Sequence, residues 1–135
     1  MKCISILFIF IVMLLSSCQS VVRYGERSES SPLSASNAKE GMATYYADEF
    51  HGRKTASGET YDMNKLTAAS VDLPLGTPVR VTNLENRKSV VVRINDRMPK
   101  NTKGRIIDLS LAGAKAIDMV QSGVVRVRVE VLNGQ

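Results

Sequence analysis

Two acidic residues, Asp96 and Asp108, stand where carboxylates could carry out acid–base chemistry. Residues 89–94 have the two-residue period of a β-strand, and Asp96 follows them shortly before Pro99 prevents further strand pairing. A second apolar pair, residues 106–107, is followed directly by Asp108. A carboxylate at a strand end is held rigidly and stays open to a groove, as acid–base catalysis requires. Alternatively, both carboxylates only accept hydrogen bonds from the turns that follow.

The elements that position these carboxylates are mostly short strands. We predict strands at residues 41–47, 66–70, 79–83, 89–94 and 124–132, with a helix at 111–119 that Ser110 caps. Gly123 ends the helical region, and within the last strand residues 125–131 alternate strictly between valines and charged side chains. This pattern predicts one mainly β domain at residues 41–132, a small β-barrel with one short helix.

Aromatic side chains gather at the start of this domain, and all fall near one polar loop: Tyr45, Tyr46, Phe50 and Tyr61. The loop also holds Ser57, Gly58 and Glu59. Aromatic faces beside polar groups commonly bind sugar rings, and the same side chains could equally fill one end of the barrel. Both interpretations stay open from the residues alone.

Several other chemistries are not supported by the residues present. His51 is the single histidine, so a histidine-rich metal site is not expected, and we interpret His51 as a structural residue. The chain has no phosphate-binding glycine loop. The formal net charge of +5 is modest; it could favour an anionic wall polymer or lipid head groups, or simply keep the surface solvated. We therefore predict no metal, no cofactor and no nucleic-acid partner.

The first 17 residues have the features of a lipoprotein signal peptide. Lys2 precedes an apolar run at residues 4–15, which is too short to cross a bilayer. The run leads into Leu-Ser-Ser-Cys, in which small residues suit a signal peptidase and the Cys18 thiol can accept a thioether-linked lipid. The alternative is a free cysteine after an ordinary signal peptide. Cys3 leaves with the signal, so no internal disulfide can form in the mature chain.

A flexible tether is predicted after the lipid attachment site. Residues 18–40 are rich in serine, carry mixed charges and show little apolar periodicity. Gln19 follows Cys18 where an aspartate would favour retention in the inner membrane. We therefore expect a lipid-anchored envelope protein in the outer membrane that faces the periplasm.

Motifs along the whole domain resemble the rare lipoprotein A family. They are FHGRKTASGE at 50–59, LTAA at 66–69, LPLGT at 73–77, VVRINDR at 91–97 and RIIDLS at 105–110. The resemblance implies a six-stranded double-psi β-barrel, similar in fold to expansins. It also implies a lytic transglycosylase that cleaves the MurNAc–GlcNAc bond of peptidoglycan glycan strands and leaves 1,6-anhydro-MurNAc ends. Such enzymes often act at the division septum on glycan without stem peptides, so division-site proteins are expected partners.

The resemblance also assigns roles to individual residues. In a lytic transglycosylase the sugar's own 6-hydroxyl displaces the leaving group, so one acid–base carboxyl can suffice. The resemblance places that carboxyl at Asp96, with Glu59 as a second catalytic residue and Asp108 in reserve. Substrate binding and orientation are expected from Ser57, Gly58, Arg93, Asn95, Arg97, Tyr45 and Tyr61.

Three departures from the family pattern support a second hypothesis. Ser70 stands where active members have a catalytic histidine, and a serine cannot share a proton near neutral pH. Met98 replaces the usual glycine and could crowd the groove. The chain ends at Gln135 without the frequent C-terminal glycan-binding repeat, so we expect no septal recruitment by that route. The alternative to an enzyme is therefore a catalytically inactive peptidoglycan-binding lipoprotein that uses the same groove.

Overall fold

Six strands close into one barrel in residues 37–46 and 48–132, which are the residues that the computed structural model describes. The strands are β1 (Ala38–Tyr45), β2 (Thr67–Ser70), β3 (Pro78–Asn83), β4 (Ser89–Arg97), β5 (Arg105–Leu109) and β6 (Val125–Val131). One 3-10 turn, Asp48–Phe50, follows β1, and one α-helix, α1 (Leu111–Ala116), follows β5. The predicted signal peptide, Cys18 and nearly all of the predicted tether lie outside the described residues.

Parallel and antiparallel pairs mix in this barrel. The order around the barrel is β1-β5-β2-β4-β3-β6, which returns to β1. β1 and β5 run parallel, as do β2 and β4, whereas the other four pairs are antiparallel. Closure leaves no free sheet edge, which matters in a domain with such short strands. The predicted six-stranded barrel with one short helix is confirmed.

The barrel interior is filled by β-branched and other aliphatic side chains from alternate positions. β3, β4 and β6 supply Val79, Val81, Val90, Val92, Ile94, Val125, Val127 and Val129, each no more than 9% exposed. Their neighbours in sequence point outward, as the alternation at residues 124–132 predicts. Ile107, Leu109 and Ile117 complete the core from β5 and the segment after α1.

β1 begins at Ala38, earlier than the predicted start at residue 41. Residues 38–40 are exposed and carry no apolar signal, so the sequence pattern could not place them in a strand. They pair with β6, and the Glu40 carboxylate lies 2.7 Å from the Arg128 guanidinium. The end of the predicted first strand, Ala47, lies outside the described residues.

Helix α1 begins as predicted and ends early. The Ser110 hydroxyl accepts a hydrogen bond from the Gly113 amide at 3.1 Å, which confirms the predicted N-cap. The helix stops at Ala116, short of the predicted residue 119, because Asp118 adopts a left-handed conformation with φ of 56°. No helix among the described residues is long and apolar enough to cross a membrane.

Two strands contain an extra residue that shifts their pairing. Between β2 and β4, Ala68 pairs with Ile94 and Ala69 with Asp96, so Asn95 is the extra residue. Between β1 and β5, the pairing passes over Ile106 in the same way. Such bulges redirect the side chains that follow them, and an aspartate follows each one closely.

Candidate active site

The bulge at Asn95 places Asp96 on the outer face of the barrel. Ala68 lies in the core, so its neighbour Ala69 faces outward, and Asp96 pairs with Ala69. Without the extra residue, Arg93 and Asp96 would face opposite sides of β4. The bulge therefore brings both onto the face that the loop at residues 53–60 covers. β4 also runs on to Arg97, beyond the predicted end at residue 94.

Neutral groups hold the Asp96 carboxylate. Its Oδ2 accepts a hydrogen bond from the Tyr46 hydroxyl at 2.9 Å. Its Oδ1 accepts two, from the Ala56 amide at 2.9 Å and the Arg97 amide at 2.8 Å. None of these three donors carries a full charge, so the carboxylate is oriented without being neutralised by an ion pair.

Asp108 lies across Ala69 from Asp96. Ala69 pairs with Asp96 on one side and with Asp108 of β5 on the other. Two strand spacings separate the Cα atoms of the two aspartates by about 10 Å. The Thr44 hydroxyl donates to Asp108 Oδ1, and Arg105 lies 3.6 Å from Oδ2. The Ala69 side chain between the two acids is small and fully buried.

Both aspartates line one cavity of about 480 Å³. Its other lining residues are Tyr46, Phe50, Arg53, Lys54, Thr55, Tyr61, Arg97, Met98 and Pro99. Its aromatic wall is formed by Tyr46, whose ring centre lies 5.0 Å from Tyr61 and 5.8 Å from Phe50. An apolar ring surface beside two carboxylates and several cations is a suitable binding site for a sugar.

Glu59 is held in a different way from Asp96. Its two oxygens accept hydrogen bonds from the Arg93 guanidinium at 2.7 and 2.8 Å, and Asn95 adds a third at 3.3 Å. These bonds, from Arg93 first and then Asn95, lower the pKa of Glu59 to about 2. Glu59 is therefore an anion at neutral pH. It lines a second cavity, of about 410 Å³, together with Arg93, Asn95 and Lys65.

The loop that carries Glu59 crosses β4 between the two cavities. Lys54 pairs with Thr60, and the Thr55 amide donates to the Glu59 carbonyl at 2.8 Å, so the loop is a tight hairpin. The Ser57 amide donates to the Asn95 carbonyl at 3.1 Å, and Gly58 has a φ of +86° that suits glycine. Ser57 and Gly58 line neither cavity; they shape the loop.

Two predicted site residues lie elsewhere. Ser70 is 1% exposed, and its hydroxyl accepts a hydrogen bond from the Leu73 amide at 3.4 Å. It lines a separate cavity of about 70 Å³ beside Val129 and Val131. Tyr45 packs against the barrel core, and its hydroxyl donates to the Val120 carbonyl at 3.0 Å. The structure brings neither side chain to the cavity of Asp96.

Three other residues complete the description. Met98 is 6% exposed and lines the cavity of Asp96. Arg97 lines it as well and donates to the Leu73 carbonyl. His51 accepts a hydrogen bond from the Met63 amide at 3.2 Å, a structural contact. In the described part of the chain, no cluster of three His, Cys, Asp or Glu side chains could hold a metal ion.

Tyr46 contacts Asp96, although the sequence placed it only among the aromatic residues and gave it no role in the site. Burial, with the nearby Asp96 carboxylate, raises the pKa of its hydroxyl well above the usual value. The strand period offered a signal. Ala43 and Tyr45 share the inner face of β1, so Tyr46 must take the opposite side, next to the Asp96 face.

Known proteins resemble this chain in sequence and in fold. Residues 38–129 match the protein family described as lytic transglycolase. The endolytic peptidoglycan transglycosylase RlpA of Pasteurella multocida is 51% identical over 106 residues, which are 78% of this chain and 36% of that protein. The probable endolytic peptidoglycan transglycosylase RlpA of Treponema pallidum is 57% identical over 90 residues, 67% of this chain and 28% of that protein. The chain thus spans about a third of the length of these relatives.

Two solved structures share the fold. The Streptomyces papain inhibitor has a TM-score of 0.59 at 23% identity, over 73% of this chain and 96% of that one. An expansin from Clavibacter michiganensis has a TM-score of 0.58 at 18% identity, over 73% of this chain and 52% of that one. The expected similarity in fold to expansins is confirmed. From the family match over residues 38–129, the chain belongs to the lytic transglycolase family, and its resemblance to rare lipoprotein A is confirmed.

Proposed function

We propose that the barrel domain is a peptidoglycan lytic transglycosylase. It would cleave the MurNAc–GlcNAc bond of glycan strands and leave 1,6-anhydro-MurNAc ends. The observation that carries this proposal is the Asp96 carboxylate, which neutral donors orient inside an aromatic-walled cavity of about 480 Å³. The names of the relatives, endolytic peptidoglycan transglycosylases, support the same reaction.

One carboxyl group is sufficient for this reaction, because it first donates a proton and then takes one back. Asp96, once protonated, gives its proton to the glycosidic oxygen as the bond from that oxygen to C1 breaks. The sugar's 6-hydroxyl oxygen then bonds to C1, and its proton passes to the Asp96 carboxylate. No water is consumed, and Asp96 returns to its starting form. The bound sugar supplies its own nucleophile, so the protein has only to hold it in position.

Glu59 has a different part in this mechanism. Its pKa of about 2 and its two bonds to Arg93 leave it no proton to donate near neutral pH. It contributes a fixed negative charge and holds the loop whose Ala56 amide binds Asp96. Asp108 lines the same cavity as Asp96 and stays the reserve acid.

Intact and denuded sacculi provide the direct test. Purified protein is incubated with each, and released material is analysed by mass spectrometry. We expect fragments that end in 1,6-anhydro-MurNAc. Hydrolysed, reducing ends would contradict the lytic mechanism, and binding without any release would support the second candidate.

That second candidate is a wall-binding lipoprotein without activity, and Met98 is the observation that favours it. Its side chain is nearly buried and lines the cavity in which a sugar would lie. A glycine at that position would leave more room. Replacing Met98 with glycine should therefore increase release if crowding limits the wild-type enzyme.

The proposed location depends on Cys18. We infer that lipid on Cys18 anchors the protein in the outer membrane, facing the periplasm, where glycan strands and division-site proteins would be within reach. The sequence Leu-Ser-Ser-Cys after the apolar run supports this proposal. A Cys18→Ala variant should lose palmitate labelling and detergent partitioning. If it keeps both, the lipid is attached at a position other than Cys18.

A further inference from the structure

The two oxygens of Asp96 are occupied unequally. A carboxylate oxygen can accept about two hydrogen bonds. Oδ1 already accepts two, from the backbone amides of Ala56 and Arg97. Oδ2 accepts one, from the Tyr46 hydroxyl, and so keeps room for one more partner. The oxygen that can exchange a proton with a substrate is therefore Oδ2, the oxygen that Tyr46 holds.

Tyr46 is itself fixed in place. Its ring packs against those of Tyr61 and Phe50, with ring centres 5.0 and 5.8 Å away. Burial and the Asp96 carboxylate raise the pKa of its hydroxyl, so the hydroxyl stays protonated throughout the working pH range. It is a permanent hydrogen-bond donor in a fixed position.

We propose that Tyr46 is a positioning residue that orients Oδ2 of Asp96 towards the substrate. A rigidly held donor fixes the direction of the oxygen that it contacts. The role in glycan cleavage rests on the proposed function. The effect on Asp96 itself does not depend on that function.

The other charged and titratable groups that face Asp96 stay in place when Tyr46 is changed. They are Asp108 from β5, Arg97 from its own strand, and Arg53, Lys54 and Tyr61 from the residues between β1 and β2. A Tyr46→Phe variant keeps the ring and its contacts with Tyr61 and Phe50 and removes only the hydroxyl. A change in the Asp96 carboxyl signal can therefore be attributed to the lost hydrogen bond.

Tyr45 supplies a matched control from the neighbouring position. Its hydroxyl also makes one hydrogen bond, to the Val120 carbonyl, and it does not line the cavity. Tyr45→Phe and Tyr46→Phe thus remove the same atom from adjacent residues of similar burial. Near-ultraviolet circular dichroism checks that both variants fold.

The experiment measures two properties of each full-length variant. Carboxyl carbon NMR compares the chemical shift of the Asp96 carboxyl in the variant and in the wild type, and glycan release is measured from about pH 4 to pH 9. Tyr46→Phe should change that chemical shift and the pH dependence of release, because the hydrogen bond to Oδ2 is lost. Tyr45→Phe should change neither.

Each possible result tests either the role of Tyr46 or the proposed function. If Tyr46→Phe lowers release equally at every pH and the Asp96 carboxyl signal does not move, Tyr46 serves only the fold and the proposal is wrong. A shifted Asp96 signal in a protein that releases no anhydro product supports the assignment of Tyr46 and contradicts the proposed function. A shift of equal size with Tyr45→Phe would also overturn the proposal, because the effect would not be specific to the contact with Oδ2.

Discussion

Asp96 and Glu59 lie on the two sides of one loop, and their carboxylates are held in opposite ways. The Arg93 guanidinium donates hydrogen bonds to both oxygens of Glu59. The Asp96 carboxylate instead accepts hydrogen bonds from a tyrosine hydroxyl and two backbone amides. A neighbouring cation lowers the pKa of a carboxyl group, so the carboxylate stays ionised near neutral pH and has no proton to transfer. Neutral donors orient a carboxylate and leave one oxygen able to react. We therefore expect Asp96 to be available for chemistry and Glu59 to have a supporting role.

The same loop connects the two sides. Glu59, near the C-terminal end of the loop, accepts hydrogen bonds from Arg93 and Asn95 of β4. The amide of Ala56, in the same loop, donates a hydrogen bond to Asp96. Loss of the Glu59 contact would therefore loosen the donor that orients Asp96. We expect Glu59 to act on the proposed reaction through position, and the first two predictions test this difference.

The largest effect is expected from Asp96→Asn. The amide keeps the shape of the side chain and cannot transfer the proton that the glycosidic oxygen needs. Release of anhydro fragments should fall by about 10²- to 10⁴-fold, with an unchanged circular dichroism spectrum. Undiminished release would remove Asp96 from the mechanism and make Asp108, in the same cavity, the acid.

A smaller loss is expected when the ion pair is broken. Glu59→Gln should reduce release by about tenfold, because the loop is less firmly held while the acid itself remains. Exchanging the two charges, with Glu59→Arg and Arg93→Glu together, should recover part of that loss. A fall as large as that of Asp96→Asn, without recovery in the exchanged variant, would mean that Glu59 takes part in the chemistry directly.

The sequence predicted the strands of this site better than their contacts. The alternation in β4 predicted which valines face the core and placed Asp96 near the end of the strand. The extra residue at Asn95 could not be predicted, because it exists only relative to the pairing of β4 with β2. The ion pair of Glu59 and Arg93 joins a loop to a strand, and the alternation of residues within one strand cannot predict such a distant contact.

The structure places Ser70 and Tyr45 away from the Asp96 cavity, for a physical reason. A motif shows which residue types recur, but the face of the sheet on which each side chain emerges follows from strand pairing. Ser70 emerges beside Val129 and Val131, and Tyr45 beside the core. Tyr46, one position further, reaches Asp96. Neighbouring residues of a strand point to opposite faces of the sheet, so a motif predicts a site residue only when the face of each position is also known.

The ion pair also predicts a small dependence of stability on pH. The pKa of Glu59 is lowered from 4.5 to about 2, so its contribution is complete above pH 4.5 and is lost as the pH falls towards 2. Both side chains are 44% exposed, which keeps the contribution small.

Thermal unfolding of the wild type and of Glu59→Gln measures this dependence. The wild type should have a slightly higher midpoint at pH 6, and the two proteins should coincide near pH 2. A difference that stays constant down to pH 2 would mean that the carboxylate is not what stabilises the loop.

The smallest effect is expected at Ser70. The family pattern suggests that a histidine here would share a proton with the substrate. The structure places this buried side chain beside a cavity of about 70 Å³ that is separate from the one lined by Asp96. Ser70→His should therefore leave the rate of anhydro release unchanged, whereas Met98→Gly, at a residue that does line the Asp96 cavity, should change it. A rate that rises with Ser70→His, and fades as the imidazole becomes charged at low pH, would show that this position reaches the groove after all.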